Sequence, residues 1–310
     1  MAGITLLEAA KRGGLTDHER AVTKVYADST DILRAIPFKT IKTAGYTYSQ
    51  ENTLPGVAFR GINASWTPSA GVINPLTEHL TISGGEVDVD NFLVDRMGNG
   101  IRADEEYAKV KHMAHLWAYK FIKGDSTSTN AEFDGLQTRL TGNQKISMGS
   151  TSGGVVLSLA KLDELIDAVV EPTHLIMSRA LRRLLNTASR TAAVGGNINF
   201  EPDEFGRKVM HYGELPILTA DNLDEYYTTL GFNEADEGAG GTACTSVYCV
   251  SFKPGHLEGL HGGTPIVSDL GQISGSPVHR TRIEWFTSLL LRHPKAAARL
   301  WSIKTGTVTA

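Results

Sequence analysis

The sequence predicts an α+β fold with mixed connections between its helices and strands. Three observations lead to this fold class. Residues 101–123 form one long amphipathic pattern typical of a helix, whereas residues 43–75 lack helical periodicity and are rich in turn formers and in β-branched and aromatic residues. The last third of the chain holds several short apolar runs of strand type, and no internal repeat is visible.

The composition of the 310-residue chain excludes several classes of protein. The hydrophobic fraction of 41% and the charged fraction of 21% are ordinary for a globular protein. No apolar run approaches the roughly 18 residues of a membrane helix, and the N-terminus lacks the apolar core of a signal peptide, so we expect a cytoplasmic chain. Cys244 and Cys249 lie five apart in a strand-like run, which places them on opposite faces and predicts neither a disulfide framework nor a zinc site.

The charge balance argues against a dedicated nucleic-acid binder. Thirty basic residues stand against 34 acidic ones, which gives a formal net charge of −4. Any contact with DNA is therefore expected to be weak and non-specific.

Two features dominate the N-terminal quarter of the chain. Residues 15–36 place apolar side chains at helical intervals before Pro37, which predicts one helix or two short ones. If residues 43–75 formed two extended arms of about fifteen residues, each arm would span roughly 50 Å. A compact domain of this length has a radius of gyration of about 19 Å, so the ribbon either folds into short hairpins or reaches onto another subunit.

Residues 76–123 combine strands with the long helix. Residues 76–94 alternate between apolar and polar side chains, and the Gly84-Gly85 pair predicts a tight turn or bulge between two half-buried strands. The helix over 101–123 is expected to bury an apolar stripe that consists of Tyr107, Val110, Met113, Trp117 and Phe121.

The following region begins with a second helical pattern. The glycine- and serine-rich residues 147–154 separate it from the long helix. Residues 155–170 and 178–190 carry leucines at helical spacing, and residues 173–177 between them predict a short buried strand. The chain then changes to strands and loops, and it finishes with two apolar runs around His293-Pro294.

The sharpest enzyme-like signal is a G-x-G-x-x-A run formed by Gly98, Gly100 and Ala103 at the start of the long helix. Such a run after a strand is typical of dinucleotide binding. That fold needs a second strand after the helix, and here a polar loop follows Lys123. We therefore favour a flexible strand-to-helix turn and keep a nucleotide-dependent oxidoreductase using Gly98 and Gly100 as a minor alternative.

The other chemical motifs are weaker. His112 and His115 lie three apart on the long helix, but no further ligands complete a metal site, and we expect them to be solvated. Asp88 and Asp90 begin like a calcium loop that Phe92 interrupts. No nucleophile elbow or phosphate-binding loop occurs, so we expect no catalytic residue, no cofactor and no metal.

Two charged clusters, one basic on a predicted helix and one acidic in a later loop, admit two interpretations. Such runs are usually solvated faces. In a self-assembling protein they would be complementary contacts between neighbouring copies. The clusters consist of Arg179, Arg182, Arg183, Asp221, Asp224 and Glu225.

The order of these parts resembles the major capsid proteins of tailed double-stranded DNA bacteriophages, the Hong Kong 97-type fold that encapsulin compartments also use. Four phrases carry the resemblance in the family's order: GGEVDVDNFLVD (84–95), EFDGL (132–136), YGELPILTADN (212–222) and EWFTSLLLRHPKAAARLWSIKTG (284–306). The resemblance implies an N-terminal arm, an extended β loop, a spine helix at 101–123, and peripheral and axial domains. The implied bounds are 1–42 for the arm, 43–78 for the extended loop, 79–195 for the peripheral domain, 196–285 for the axial domain and 286–310 for a return to the peripheral domain.

The resemblance also implies a function. We expect a structural protein, not an enzyme, that assembles as pentamers and hexamers into an icosahedral head in the cytoplasm of a bacterial host and becomes part of the virion. Its partners would be further copies of itself, a portal, and a scaffold or decoration protein. An encapsulin-like cargo compartment is the alternative within the same fold.

The extended loop is expected to supply the contacts between subunits. A ribbon with exposed aromatic side chains is an aggregation hazard unless a neighbour covers it. No lysine occurs between Lys42 and Lys109, so we expect no covalent cross-link through this loop of the kind found in some relatives. The expected contact residues are Tyr46, Tyr48, Glu51, Phe59, Arg60 and Trp66.

Overall fold

The computed structural model describes residues 30–53, 55–190, 198–202, 208–220, 227–238, 240–241 and 243–309. Within them the predicted α+β class is confirmed, since helices accompany a five-stranded, an eight-stranded and a two-stranded sheet. The helices are α1 (Asp31–Ala35), α2 (Asn91–Met97), α3 (Gly100–Lys123), α4 (Leu136–Arg139), α5 (Leu159–Asp167) and α6 (Arg179–Ala188). None of these described helices is long and apolar enough to cross a membrane.

The described residues contain fifteen strands. They are β1 (Phe38–Thr40), β2 (Gly45–Thr53), β3 (Val72–His79), β4 (Thr81–Asp90), β5 (Lys145–Ser147), β6 (Val155–Ser158), β7 (His174–Met177), β8 (Ile198–Pro202), β9 (Lys208–Tyr212), β10 (Leu215–Thr219), β11 (Cys244–Val250), β12 (Leu257–His261), β13 (Ile266–Gln272), β14 (Val278–Leu291) and β15 (Ala297–Thr309). The helix predicted over 15–36 is described only at its end, where α1 stops before Pro37. The rest of that prediction lies outside the described residues.

The first sheet is built around the 14-residue strand β14. Strand β14 pairs antiparallel with β4, β12 and β13, and β1 adds a parallel neighbour to β12. Helix α3 packs on this sheet, with the Trp117 and Trp285 ring centroids 6.5 Å apart. The Trp117 indole N–H donates a hydrogen bond to Thr287 Oγ1 at 3.0 Å. The predicted helix over 101–123 is thus confirmed, and it covers the core of the first sheet.

The buried side of α3 differs from the predicted stripe at one position. Val110, Met113, Trp117 and Phe121 are buried in the core of the first sheet. Tyr107 is not a core residue, because 56% of its surface is exposed. Residues 100–109, the first turns of α3, contain a single buried residue. The helical spacing of Tyr107 relative to the core residues therefore does not bury its side chain.

The second sheet has the strand order β5-β15-β11-β7-β10-β9-β8, and β6 also pairs with β15. Its central strand β11 is buried along its whole length. Helices α5 and α6 add leucines to this core, namely Leu162, Leu165, Leu181 and Leu185. The two predicted helices and the strand predicted at 173–177 are therefore confirmed as α5, α6 and β7.

The two sheets divide the chain differently from the predicted bounds. Residues 145–190 belong to the second sheet and its helices, although the boundary at 195 grouped them with the spine helix. Strands β12 and β13 lie in the first sheet, although the predicted axial domain of residues 196–285 grouped them with β8 to β11. Strand β15 lies in the second sheet, although it was expected to return to the peripheral domain. A glycine-rich stretch marks only a local loop, whereas sheet membership depends on pairing between strands that are far apart in sequence.

Two crossovers, a shared apolar core and two ion pairs connect the sheets. The crossover of residues 251–256 links β11 to β12, and the crossover of residues 292–296 links β14 to β15. At the end of α3, Lys123 Nζ lies 3.7 Å from the carboxylate of Glu234, which also pairs with Arg299 at 3.0 Å. Glu234 and Arg299 are buried, so this pairing fixes the end of the spine helix to the second sheet.

Gly84 and Gly85 lie inside a continuous strand and do not form the predicted turn. Strand β4 pairs with β14 in one register from Thr81 to Asp90. A Cβ atom on Gly84 would lie 2.3 Å from the carbonyl oxygen of Ile283, so this position accepts no side chain. Glycine serves here for close approach of two strands, which the sequence pattern alone does not distinguish from a turn.

Both cysteines are free and buried in β11. Burial raises the pKa of Cys249 to about 12. Burial and the nearby Asp236 carboxylate also raise the pKa of Cys244. Both thiols therefore stay protonated at neutral pH and behave as small apolar side chains.

The Gly84→Ala variant is expected to lose about 1–3 kcal/mol of stability, because the added methyl group forces β4 away from β14. Thermal unfolding of the soluble full-length protein measures this loss as a lower Tm. The matched control is Gly100→Ala, where an added Cβ meets no atom within 4 Å, and its Tm should be unchanged or slightly higher. Equal Tm values for the two variants would show that the close approach is not tight.

Candidate functional site

The most distinctive surface of the protein is a hairpin formed by β2 and β3. Its strands pair antiparallel from Gly45 and His79 at the root to Thr53 and Val72 near the tip. A nine-residue strand spans about 30 Å at ~3.3 Å per residue. The hairpin is a separate two-stranded sheet, and such a ribbon is marginally stable without other contacts. Its root must therefore supply the stability.

Apolar packing holds one side of the root. Tyr48 is buried against Ile41, which directly follows β1, and against Leu260 of β12 and Leu290 of β14. Its hydroxyl donates a hydrogen bond to the carbonyl oxygen of Leu291 at 3.3 Å. Burial, with the Glu78 charge, raises the pKa of Tyr48, so this hydroxyl stays a donor across the physiological range.

A bidentate ion pair holds the other side of the root. Arg139, at the end of α4, donates to both carboxylate oxygens of Glu78 on β3, at 2.5 and 2.8 Å. Its guanidinium also donates to the carbonyl oxygens of Asp134 at 2.7 Å and Leu289 at 3.2 Å. One side chain therefore ties β3 to α4, to the loop before it and to β14.

The ion pair at the root is largely shielded from water. Only 13% of the Arg139 side chain and 18% of the Glu78 side chain is exposed. Burial alone would lower the pKa of Arg139, but its hydrogen bonds and charge pairing with Glu78 outweigh burial and raise it. The pair is directional, unlike the apolar contacts around Tyr48, and so it fixes the angle at which the hairpin leaves the sheet.

The tip of the hairpin, residues 55–71, has a defined shape but no core. Ser69 Oγ accepts from the Gly56 N–H at 2.7 Å, and Trp66 Nε1 donates to the Ala58 carbonyl at 2.9 Å. The Arg60 guanidinium lies 4.5 Å from the Trp66 ring centroid. Large apolar side chains nevertheless remain exposed, from 60% for Trp66 to the full surface for Phe59, and the others are Val57 and Ile62.

These contacts place the predicted contact residues in two groups. Tyr48 is buried, and Tyr46 is half-buried with its hydroxyl 2.7 Å from Lys39 Nζ. Tyr48 is therefore an anchor of the root, where its burial leaves no surface for another subunit, and the contact of Tyr46 with another subunit stays a prediction. Phe59, Arg60 and Trp66 lie at the exposed tip, and the side chain of Glu51 lies outside the described residues.

No pattern in the sequence marks the ion pair between Glu78 and Arg139. The two residues are 61 positions apart, and neither lies in a motif. An acidic residue on a strand and an arginine after a short apolar run are ordinary surface features, so no local signal could have identified them.

A second uncovered apolar surface lies on helix α2. None of its seven residues is buried, and Phe92, Leu93 and Met97 expose between 39% and 68% of their surface. A helix this short is marginal in water without packing. We call these three residues the α2 face.

The predicted charge clusters are only partly described. Arg179 and Arg182 on α6 are half-buried, and Arg183 is exposed. Asp221, Asp224 and Glu225 lie outside the described residues, so the pairing of the two clusters between copies stays a prediction.

The glycine run at residues 98–103 lacks the geometry of nucleotide binding. Gly98 follows helix α2 with φ of 80°, so the run joins two helices and not a strand to a helix. The strand before α2 is β4, which is antiparallel to its neighbour, whereas the dinucleotide fold is built on parallel strands. This arrangement corrects the predicted strand-to-helix turn and removes the basis of the oxidoreductase alternative.

Residues of the weaker motifs contact other side chains of the fold. His112 lies 3.1 Å from the Tyr227 hydroxyl, and Asp88 pairs with Arg280 across β4 and β14. Among the described residues, no three His, Cys, Asp or Glu side chains are grouped so that they could hold a metal ion.

Comparison with known proteins identifies this architecture. The family model of "Major capsid protein GP7" matches residues 16–160. The encapsulin of the holo-SrpI complex from Synechococcus elongatus PCC 7942 superposes with a TM-score of 0.66 at 15% identity and covers 97% of both chains. The capsid of an empty GTA particle gives a TM-score of 0.63 at 12% identity, covering 94% of this chain and 92% of that one. A chain of Mycobacterium phage Bobi gives 0.60 at 12% identity, covering 90% and 91%.

No curated protein matches the sequence. The structural matches define the class, which is a protein of the Hong Kong 97-type capsid fold. The family match agrees with the resemblance seen in the sequence, because the chain is similar to a major capsid protein over residues 16–160, slightly less than half of its length.

The Glu78→Gln variant is expected to lose about 2–4 kcal/mol, because it leaves the Arg139 charge buried without its partner. The double variant with Glu78→Leu and Arg139→Met should regain part of this loss, since it leaves no unpaired buried charge, but the carbonyls of Asp134 and Leu289 lose their donor. Urea unfolding of the soluble protein measures both changes. The control is Glu164→Gln, whose exposed pair with Lys161 should contribute less than about 1 kcal/mol. A loss in the control equal to that of Glu78→Gln would show that the root pair is no stronger than a surface pair.

Proposed function

We propose that this chain is the major capsid protein of a tailed-phage head and assembles as pentamers and hexamers around double-stranded DNA. One observation carries the proposal. The hairpin tip holds four large apolar side chains in a defined conformation and buries none of them within the described chain. A shell subunit gives such a surface a partner, because a neighbouring copy covers it.

The free energy available at the tip is large enough to drive association. Burying one large apolar side chain contributes about 1.5–3 kcal/mol, so the four at the tip offer on the order of 6–12 kcal/mol per subunit as an upper estimate. The tip needs little reordering on binding, because hydrogen bonds and the contact between Arg60 and Trp66 already hold it. A closed shell repeats this contact at every subunit.

The α2 face of a neighbouring copy is the surface that suits the tip. Both surfaces are apolar and uncovered. The only charged residue between positions 54 and 71 is Arg60. Three exposed acidic residues flank the α2 face, namely Asp95, Asp104 and Glu105, against one cation, Arg96, whose guanidinium lies 5.7 Å from the Phe92 ring centroid. Opposite charges at the edge of an apolar contact select its register more than they increase its strength.

The two sheets take the two domain roles of the family in this proposal. The first sheet with α3 forms the peripheral domain, and the second sheet with α5 and α6 forms the axial domain that closes each ring. This division replaces the bounds expected from the sequence. Assembly takes place in the bacterial cytoplasm, with a portal at one vertex and contact to packaged DNA that is weak because the chain carries a net charge of −4.

An encapsulin-like compartment is the second candidate, because the encapsulin from Synechococcus elongatus superposes over 97% of both chains. The fold is shared, so only the contents of the particle separate the two functions.

Substituting Phe59 and Trp66 together by Ser is expected to abolish closed shells while leaving the Tm of the subunit within about 1 °C, because the exposed side chains stabilise no core. Negative-stain microscopy and size exclusion measure assembly. The control is Thr67→Ser, which changes the same exposed tip without removing apolar surface. A second variant replaces residues 54–71 by Asn-Gly, a two-residue turn that suits the register of Thr53 and Val72. Normal shells from either tip variant would exclude the tip as an assembly contact.

Particles isolated from the organism that carries this gene are expected to contain nuclease-protected double-stranded DNA. Extraction after nuclease treatment, together with the ratio of absorbance at 260 and 280 nm, measures it. Particles that contain enzyme cargo and no DNA would support the encapsulin candidate instead.

A further inference from the structure

Two histidine rings stack on the two crossovers that connect the sheets. His256 lies on the crossover of residues 251–256, and His293 lies on the crossover of residues 292–296. Their ring centroids are 5.4 Å apart and their planes differ by 27°. We call these two crossovers and their histidines the joint. Neither histidine contributes to the hairpin contacts or to a sheet core.

The backbones of the two crossovers are hydrogen-bonded to each other around these rings. The Ser251 N–H donates to Ala296 O at 2.8 Å, and the Arg292 N–H donates to His256 O at 2.9 Å. His256 Nδ1 also lies 2.8 Å from the hydroxyl of buried Ser251. Separating the rings would therefore strain the hydrogen bonds that hold the crossovers together.

The joint also holds the root of the hairpin. Tyr48 donates to the carbonyl of Leu291, and Gln50 Nε2 donates to the carbonyl of Arg292 at 3.4 Å. The first sheet, the second sheet and the hairpin thus meet at one place. A conformational change in the joint therefore changes the relative positions of the first sheet, the second sheet and the hairpin.

The charges near the rings do not favour a positive charge on His256. Lys253 and Glu171 pair with each other at 3.2 Å, and Glu258 accepts the Gly255 N–H at 3.0 Å. Arg292 and Lys295 add two cationic side chains to the second crossover, where the Lys295 N–H donates to His293 Nδ1 at 3.1 Å. The three cationic residues on the crossovers therefore outnumber the two carboxylates, Glu171 and Glu258.

We propose that His256 and His293 form an acid-sensitive joint, in which protonation of His256 separates the crossovers and loosens the hairpin root. At neutral pH the rings stack. In acid a positive charge on His256 disrupts this stack, and the hydrogen bonds between the crossovers weaken. The effect is a property of the single subunit and does not depend on the proposed assembly.

The titration of His256 gives the direction of the effect. Burial, with the neighbouring His293 ring and Lys253, holds the pKa of His256 below its ordinary value, although Glu171 and Glu258 act in the opposite sense. A histidine with a lowered folded-state pKa takes up protons more readily when its surroundings open. Its contribution to stability is therefore present above the unfolded-state pKa of about 6.5 and is lost as the pH falls below that value.

Hydrogen exchange on the full-length protein at pH 7.5 and pH 5.0, corrected for intrinsic exchange rates, tests the joint. Peptides covering residues 251–257 and 290–297 should exchange at least about tenfold faster at pH 5.0, while peptides from the middle of α3 stay protected. His256→Gln keeps a side chain that can hydrogen-bond to Ser251 but cannot be charged, and it should remove the acid response.

The control variant is His211→Gln on β9, whose ring contacts the carbonyl of Val209 and lies away from both crossovers. It should respond to acid as the wild type does. Equal protection of the crossover peptides at the two pH values in the wild type would overturn the proposal. So would a His256→Gln variant that still responds, since the response would then belong to another group.

Discussion

The packing of helix α3 on strand β14 is the contact on which the rest of the subunit depends. Phe38 completes this contact, with its ring centroid 5.5 Å from that of Trp117 and 5.6 Å from that of Trp285. Strand β14 pairs with three other strands of the first sheet and continues through one crossover into β15 of the second sheet. The other end of α3 reaches the second sheet through Lys123 and the buried pair of Glu234 and Arg299. One helix and one strand therefore set the relative position of both sheets.

The hairpin separates contacts that stabilise the subunit from apolar surface that the described chain leaves uncovered. Its root combines apolar packing around Tyr48 with a directional ion pair between Glu78 and Arg139. Its tip is held in shape by a few local hydrogen bonds and keeps its apolar side chains in solvent. Folding energy is concentrated at the root, and the proposed contact with a neighbouring copy lies at the tip, so substitutions in the two regions are expected to affect different properties. The stacked histidines lie beside the root, where a change in charge would reach both sheets and the hairpin.

The sequence predicted much of this arrangement and missed identifiable parts of it. The sequence predicts the long helix within one residue of its observed start, and its buried apolar residues from Val110 to Ile122 follow the predicted helical spacing. The ribbon at residues 43–78 was predicted as extended from its composition and length. The sequence predicts that Tyr46 and Tyr48 face another subunit, whereas Tyr48 is buried at the root of the ribbon. An aromatic residue that anchors the root and one that faces a partner show the same sequence pattern. The sequence predicts a turn at Gly84, where the structure has a strand. The Ile283 carbonyl that excludes a side chain at Gly84 is 199 residues away in sequence, so no local pattern indicates it.

The sequence by itself determined the class of the fold, the spine helix, the extended ribbon and the order of parts that resembles phage capsid proteins. These features depend on local periodicity and on composition, which a chain carries without its partners. Only the tertiary structure decided which strands share a sheet, which ribbon residues are anchors, and that Glu78 meets Arg139 and His256 meets His293. Each of those facts depends on pairing between residues far apart in the chain, and free energy from such contacts leaves no local pattern in the sequence.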